Sequence, residues 1–428
     1  MNSFRFLHAA DLHLDCPLKG LEQYEGAPVQ QIRDSTRRAL ENLIELAIRE
    51  QVAFVVIAGD LFDGKWTDIQ TGLWTANQFR RLEKQGIKVY LIRGNHDSMS
   101  EAALKITWPR NVFEFPTDRP TTVIDERTGA ALHGQGFASR DCSIDLAQHY
   151  PPADPSRVNI GLLHTSLMGD AQHDTYAPTT PEVLISKRYD YWALGHIHAQ
   201  RLVHRSPVIV YPGCTQGRHI REPGAKGCLL VSVEGHTCRP EFRATDVLRW
   251  QSVTIDLPAT AQRPEMLEAV HAQLEACRQQ SQNRFCAVRL TLTGRCEFHR
   301  EIEQPQGRIE ILGEIRNVAN QWDDLWIEKV ELETAPPVDV EALRAGQDLF
   351  GELLRDFDRW HQADDADLSV LANELTLLAQ KISSVIPKSD LDLSDPEKIR
   401  HWLRQAESIV LSLAPSADQS LSLICKEH

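Results

Sequence analysis

Metal-competent side chains directly follow five successive apolar segments of the sequence. In chain order they are Asp11, His13, Asp60, Asp63, Asn95, His96, Asp97, His164, His196 and His198. Any one Asp-x-His or His-x-His pair is more often a hydrogen-bonded turn residue than a metal ligand. Recurrence at five segment ends argues against coincidence, since ligands bind at the carboxyl ends of strands in an open α/β sheet. The pattern predicts one site assembled from residues that are distant in the sequence.

The residue types narrow the choice of metal ion. Carboxylates, imidazoles and an amide are present without thiolates, and such mixed oxygen and nitrogen ligands suit Mn²⁺, Fe²⁺, Co²⁺ or Zn²⁺. A catalytic ion keeps room for water or substrate. Seven ligands therefore exceed the needs of one ion, whereas two ions that share a carboxylate use them all. The seven candidate ligands are Asp11, His13, Asp60, Asn95, His164, His196 and His198.

A two-metal site is typical of phosphoester hydrolysis. Two ions about 3.5–4 Å apart lower the pKa of a bound water and clamp the attacking and leaving oxygens. The metal ions do not supply a proton to the leaving oxygen, so the site also needs a general acid. His96, beside the candidate ligand Asn95, is the candidate for this role. Asp63 is the carboxylate expected to hold the other ring nitrogen of His96. We therefore predict a metal-dependent phosphoesterase with His96 and Asp63 as its catalytic residues.

Short apolar runs and helix-period segments must position these residues. The length and β-branched content of the apolar runs favour buried strands at residues 4–7, 53–58, 88–92, 158–163, 191–194, 207–211 and 228–233. Between the first two runs, residues 34–51 carry an apolar stripe with helical spacing. This alternation predicts an α/β domain with substantial parallel pairing over residues 1–245.

Two further regions follow this domain. Residues 250–335 alternate strand and helix patterns and predict a small α+β domain. Residues 337–428 carry helical patterns alone, with apolar stripes beside acidic positions. Two interpretations of this last region stay open: a helical bundle packed on its own chain, or an amphipathic docking element for a partner protein.

The amino-acid composition limits the classes of substrate and the cellular compartments that are compatible with the sequence. The 428 residues carry a net charge of −14, of which residues 337–428 contribute −8, because they hold 17 Asp and Glu against 9 Lys and Arg. Bound cations would offset part of the remainder, so charge does not exclude a nucleic-acid substrate. The sequence shows no membrane-length apolar run, no signal-peptide core and no close pair among its nine cysteines. We expect a cytoplasmic protein with no membrane partner.

The complete motif series resembles that of the calcineurin-like metallophosphoesterases. The matching motifs are Asp11-x-His13, Gly59-Asp60-x-x-Asp63, Gly94-Asn95-His96-Asp97, His164 and Gly195-His196-x-His198. Their spacing and the stretch at residues 211–233 are similar to the SbcD-like DNA repair exonuclease branch, particularly its YhaO-type members. The resemblance implies an α/β fold in which a four-layer α-β-β-α sandwich is followed by a small α+β capping, DNA-positioning domain and a C-terminal helical region.

The resemblance also implies how two divalent ions, expected to be Mn²⁺, divide the ligands. One ion would be held by Asp11, His13, Asp60 and His198, and the other by Asp60, Asn95, His164 and His196, with Asp60 bridging. The implied activity is hydrolysis of DNA phosphodiester bonds in DNA repair, by an exonuclease that could also be an endonuclease. The implied partners are DNA, an SMC-like coiled-coil ATPase subunit (SbcC-like) docked on the C-terminal helices, and a second copy of the chain in a homodimer.

Two other functions stay open. One is a phosphodiesterase or phosphatase for small nucleotides or phosphoproteins, and the other is a non-catalytic subunit that tethers DNA ends. The Asn95–His96 pair argues against the tethering subunit, because a structural site has no use for an unligated histidine beside a ligand. The candidate substrate contacts are Arg93 and Arg218 for phosphates, and His173 and Tyr176 on a loop that would stack on a base.

Overall fold

The computed structural model divides the chain into two compact units. It describes residues 3–16, 26–63, 69–99, 106–167, 176–337, 340–365, 367–368, 370–372 and 396–413. The first unit comprises residues 1–252, 275–289 and 322–329, and the second comprises 253–274, 290–321 and 330–428. Among the described helices, none is long and apolar enough to cross a membrane.

Two six-stranded sheets form the first unit. The first sheet has the spatial order β12 (Thr237–Ala244), β11 (Gly227–Glu234), β1 (Phe4–Ala9), β2 (Phe54–Ala58), β3 (Lys88–Ile92) and β4 (Val112–Glu114). The second has the order β5 (Thr121–Ile124), β6 (Ala131–Gly134), β7 (Asn159–His164), β8 (Tyr191–Gly195), β10 (Val208–Tyr211) and β9 (Arg201–Arg205). Strands β1 to β4 are parallel, and so are β6, β7, β8 and β10.

Apolar side chains from both sheets fill the space between them. Phe6 and Phe54 of the first sheet meet Ile160 and Tyr191 of the second in one buried cluster. The ring of Phe6 contacts that of Tyr191 edge to face, with centroids 5.2 Å apart. Each such side chain contributes roughly 1.5–3 kcal/mol when it is fully buried, so these runs form strands whose inner faces are covered by the opposite sheet.

Helices cover the outer faces of the two sheets. Helices α1 (Val29–Arg49) and α2 (Ile69–Glu83) pack on the first sheet through Leu40, Leu43 and Phe79. Helix α3 (Pro181–Ser186) and a 3₁₀ turn at Leu146–His149 pack on the second sheet. The layers are thus helix, sheet, sheet and helix, which confirms the predicted fold class.

A three-stranded sheet follows in the chain. Its strands, in spatial order, are β13 (Leu248–Asp256), β14 (Phe285–Arg295) and β15 (Leu325–Ala335). The helices between and after these strands are α4 (Arg263–Gln280), α5 (His299–Glu303), α6 (Pro305–Ala319), α7 (Val340–Ala345), α8 (Leu349–Gln362) and α9 (Pro396–Leu413). The domain boundaries read from the sequence, at residues 245, 250, 335 and 337, stay predictions.

The described C-terminal helices pack against one another within the second unit. Leu354 of α8 and Leu411 of α9 are buried together, beside Val340 and Leu343 of α7. His361 of α8 forms an ion pair with Glu407 of α9 (Nε2 to Oε2, 2.8 Å). Part of the apolar stripe in this region therefore forms a core of its own, as in the self-packed alternative.

Gly195 at the end of β8 lies against the backbone of β2 in the opposite sheet. A Cβ atom there would lie 1.9 Å from the carbonyl oxygen of Ala58 in β2. We expect Gly195→Ala to reduce the free energy of unfolding by about 1–3 kcal/mol, because overpacking forces the sheets apart. Denaturant unfolding measures this loss. Gly313→Ala in α6, where an added Cβ meets nothing within 4 Å, is the control that should lose no stability. Unchanged stability in Gly195→Ala would contradict the packing.

Candidate metal centre

The candidate ligands lie at the carboxyl ends of β1, β2, β3, β7 and β8. These strands belong to two sheets, and β4, β5 and β6 lie between β3 and β7 in the chain, so the five segments are not successive strands of one sheet as the pattern suggested. The chain turns sharply after three of them, since φ is +52° at Asp11, +44° at His13, +52° at Asp60 and +103° at His196. Such values are strained for residues other than glycine.

The backbone of these turns is joined by hydrogen bonds between the strand ends. The N–H of Asp11 donates to the carbonyl of Gly59 (3.1 Å), and the N–H of His13 donates to that of Asp60 (3.0 Å). Both oxygens of the Asp97 carboxylate also accept bonds from backbone N–H groups, namely those of Leu61, Phe62 and Gly94 at 2.8–3.2 Å. The turns after β1, β2 and β3 are therefore held as one rigid assembly.

His13 and His198 face each other across the centre. Their Nε2 atoms are 3.2 Å apart. Nδ1 of His13 lies 3.2 Å from Asp63 Oδ1, and Nδ1 of His198 lies 2.7 Å from Glu222 Oε1. A carboxylate oxygen accepts only, so each Nδ1 carries the proton and each Nε2 presents a lone pair. Two lone pairs at this distance fit a cation between them, with Asp11 as the third ligand atom of the group.

The Nε2 atom of His164 faces a second group of acceptor atoms, which are oxygens of Asn95 and Asp60. Its Nδ1 donates to the carbonyl of Ala58 (2.9 Å), so its Nε2 is an acceptor. That Nε2 lies 2.9 Å from Asn95 Oδ1 and 3.4 Å from Asp60 Oδ2. The convergence of three acceptor atoms in a buried space again fits a cation.

Asp60 stands between the two groups. Its Oδ2 atom is 3.4 Å from His164 Nε2 and 3.8 Å from His13 Nε2. Asp11 also reaches both groups, since it lies close enough to share an ion with His13 and His198 or with Asp60 and His164. This geometry suits a carboxylate that bridges two ions.

His196 contributes a backbone contact and a ring whose role stays a prediction. Its N–H donates to both oxygens of Asp11, at 3.0 and 3.1 Å. Its ring lies beside those of His164 and Tyr176, with centroids 5.3 Å away in each case. The groups of potential ligand atoms found among the described residues do not include this imidazole, so its assignment to the second ion stays a prediction.

His96 lies at the exposed rim of the centre and is held by Asp63. Its side chain is 32% exposed, whereas those of His13 and His164 are 0% exposed. Nδ1 of His96 is 2.9 Å from Asp63 Oδ1, the same oxygen that accepts from His13. The arrangement leaves Nε2 as the ring nitrogen for a substrate, as a general acid requires, but one group of potential ligand atoms joins His96 with His13 and Asp60, so this role stays a prediction.

The charges of the centre move the pKa values of its histidines in opposite directions. Burial and the positive charge of Arg218 lower the pKa of His13 to about 3, so this imidazole is neutral, as a metal ligand must be. Burial also opposes charging of His164 and His96. For His164, the negative charges of Asp60 and Asp11 outweigh burial and raise the pKa to about 9, so a proton occupies Nε2 when no cation does. For His96, the bond to Asp63 and the charge of Asp60 raise the pKa above its ordinary value, which favours a proton donor.

The candidate substrate contacts have varied surroundings. Arg93 is paired with Glu114 through Nε and is mostly buried. Arg218 is also mostly buried and is paired with Glu222 (Nη2 to Oε1, 2.8 Å). Tyr176 lies against His196, as described above, and His173 lies outside the described residues. Substrate contact by these four side chains stays a prediction.

Two functional carboxylates were missed by sequence reasoning. The sequence motif Arg-Gly-Asn-His-Asp predicts no role for Asp97, and the structure places it as the acceptor of three backbone N–H bonds that join the turns after β2 and β3. Glu222 lies in the loop between β10 and β11, outside every strand-end motif, and nothing in the local sequence connects it with His198. Its depressed pKa, which burial opposes but the bond to His198 and the charge of Arg218 impose, keeps it an acceptor.

Comparisons with known proteins agree with this geometry. The family model described as calcineurin-like phosphoesterase matches residues 4–200, and the model described as the middle domain of the metallophosphoesterase YhaO matches residues 250–335. The chain is 33% identical over 371 residues to the uncharacterized metallophosphoesterase YhaO of Bacillus subtilis, which covers 85% of this chain and 89% of that protein.

More distant relatives are DNA double-strand break repair proteins named Mre11. The one from Methanopyrus kandleri is 23% identical over 365 residues, covering 73% of this chain and 75% of its own. The one from Aeropyrum pernix is 27% identical over 262 residues, covering 54% and 58%. The match to YhaO spans most of both proteins, and the chain therefore belongs to the calcineurin-like metallophosphoesterases, in the YhaO group that the motif series had indicated.

Proposed function

We propose that this metal-dependent phosphoesterase hydrolyses phosphodiester bonds of DNA as an exonuclease in DNA repair. The observation that carries the proposal is the pair of inward-facing acceptor groups on either side of Asp60, with the ring of His96, paired with Asp63, at the rim. The kinship with DNA double-strand break repair proteins supports DNA as the substrate. A reducing cytoplasmic location is part of the proposal, and the eight cysteines within the described residues are free thiols.

The residues of the centre have distinct parts in this reaction. Asp11, His13, Asp60 and His198 would hold one divalent ion, and Asp60, Asn95, His164 and His196 the other, with mixed ligands that suit Mn²⁺. When bound, the two ions supply an activated water and neutralise the phosphate charge. His96 Nε2 donates a proton to the leaving oxygen, and Asp63 orients the ring and stabilises its charged form.

We also propose that the C-terminal helices dock a coiled-coil ATPase. Leu349 and Ile409 are apolar residues of α8 and α9 whose side chains are largely exposed although both helices contribute to a common core. Apolar side chains left outside such a core are suited to the apolar face of a partner helix. The net charge of −8 over residues 337–428 favours a partner surface with basic residues.

The substrate panel is the main test. The full chain with Mn²⁺ should shorten end-labelled single- or double-stranded DNA, and should act far more slowly on cyclic nucleotides, a phosphopeptide and a small phosphomonoester. Gel electrophoresis measures the shortening of the DNA. Product analysis measures hydrolysis of the cyclic nucleotides, the phosphopeptide and the phosphomonoester. Cleavage of the small substrates alone would favour the nucleotide or phosphoprotein enzyme. Binding of DNA ends without any hydrolysis would favour the tethering subunit.

Substitution of a ligand and of the general acid should separate metal binding from proton transfer. Asp60→Ala should lose both metal and hydrolysis, because the bridging carboxylate serves both ions. His96→Asn should keep the metal content of the wild type and lose about 10²–10⁴-fold in turnover, the range for one general acid. Metal analysis and single-turnover cleavage measure the two properties. Loss of metal in His96→Asn would contradict the assigned role.

The docking proposal is tested with surface charges on the full chain. The double substitution Leu349→Glu and Ile409→Glu should abolish co-purification of a coiled-coil ATPase while DNA cleavage by the isolated chain persists. Ile124→Glu, at an exposed residue of β5 in the first unit, is the matched control that should retain the partner. Retention of the ATPase by the double variant would refute this docking site.

A further inference from the structure

A buried carboxylate outside the strand-end motifs touches the metal centre. Glu222, in the loop between β10 and β11, is 5% exposed, and its Oε1 atom lies 2.7 Å from Nδ1 of His198. Arg218 of the same loop bonds Glu222 twice at 2.8 Å, from its backbone N–H to Oε2 and from Nη2 to Oε1. Both carboxylate oxygens are therefore occupied, and the side chain has a single orientation.

His198 needs such an anchor more than the other histidine ligands do. Its side chain is 27% exposed, whereas the rings of His13 and His164 are fully buried and cannot turn without displacing their neighbours. A partly exposed imidazole can rotate about its side-chain bonds, and it can carry its proton on either nitrogen. Arg218 Nη2 lies 3.2 Å from the same Nδ1, but Glu222 Oε1, at 2.7 Å, is the closer partner. The bond to Glu222 therefore selects the form with the proton on Nδ1 and directs Nε2 toward His13 and Asp11.

We propose that Glu222 is a positioning residue that holds His198 for metal binding, and that Arg218 keeps Glu222 in place. The inference rests on the assignment of His198 to the ion shared with Asp11, His13 and Asp60. Carboxylates that orient a metal-bound histidine raise affinity about 10–100-fold. The loop between β10 and β11 thus becomes a sixth segment of the metal centre.

Arg218 also connects this anchor to the other side of the centre. Its Nη1 atom lies 3.8 Å from Asp63 Oδ1, the oxygen that holds both His13 and His96. A guanidinium carries five N–H donors in a fixed plane and can bind two carboxylates at once. Arg218 therefore offsets the charge of two carboxylates, each of which orients a histidine of the centre.

The test is Mn²⁺ binding by the full chain, followed by the electron paramagnetic resonance signal of free Mn²⁺. Glu222→Ala should weaken one of the two sites about 10–100-fold and leave the other at its wild-type affinity. Glu222→Gln keeps the size of the side chain and one acceptor oxygen, so it should weaken the same site by a smaller factor, and it serves if the alanine variant does not fold. His164→Ala should weaken the other site.

A matched control separates positioning from general stability. Asp125 is a fully buried carboxylate that accepts bonds from Tyr90 and Thr128, away from the candidate ligands. Asp125→Asn should lower the melting temperature and leave both Mn²⁺ affinities unchanged. Wild-type affinity at both sites in the two Glu222 variants would overturn the inference, as would equal weakening of both sites. Absence of Mn²⁺ binding by the wild type would overturn the ligand arrangement itself, whatever the substrate.

Discussion

The metal centre depends on the direction in which three imidazole protons point. His13, His164 and His198 each donate from Nδ1 to an oxygen outside the cluster, so each directs the lone pair of Nε2 inward. Inward lone pairs and carboxylate oxygens repel one another in a buried space, and a cation removes that repulsion. The outer acceptors, namely Asp63, the carbonyl of Ala58 and Glu222, therefore decide where an ion can be held.

The rest of the fold serves to bring these donors and acceptors to one place. The strands of both sheets must end side by side, and their ends must approach closely. The glycines before the candidate ligands allow this approach because they have no side chain. A Cβ atom at Gly59 would lie 2.4 Å from Nδ1 of His164, and one at Gly94 would lie 2.2 Å from Oδ1 of Asp60. Left-handed backbone at Asp11, His13 and Asp60 costs about 1–3 kcal/mol per residue. The hydrogen bonds to Asp97 and between the strand ends offset that cost.

Much of this architecture could be predicted because it repeats along the sequence. The strands that precede the ligands are continuous apolar runs, and they are buried on both faces. Five strands were missed: β4, β5, β9 and β12 lie at sheet edges, where partial exposure removes the apolar pattern, and the short strand β6 contains His133 and Gly134. Helix α1 begins at Val29 rather than at residue 34, because Ile32 is buried against Trp250, a contact that local periodicity cannot show.

The same distinction applies within the centre. Candidate ligands that follow strands could be predicted from the sequence, whereas the residues that orient them depend on the tertiary fold. Asp63 is both, since it lies three residues after Asp60 and one of its oxygens accepts from His13, a candidate ligand, and lies 2.9 Å from Nδ1 of His96, the candidate acid. A change in the charge of that oxygen acts on metal binding and on proton donation together. In the proposed reaction, acid strength and ligand geometry are therefore coupled through one atom.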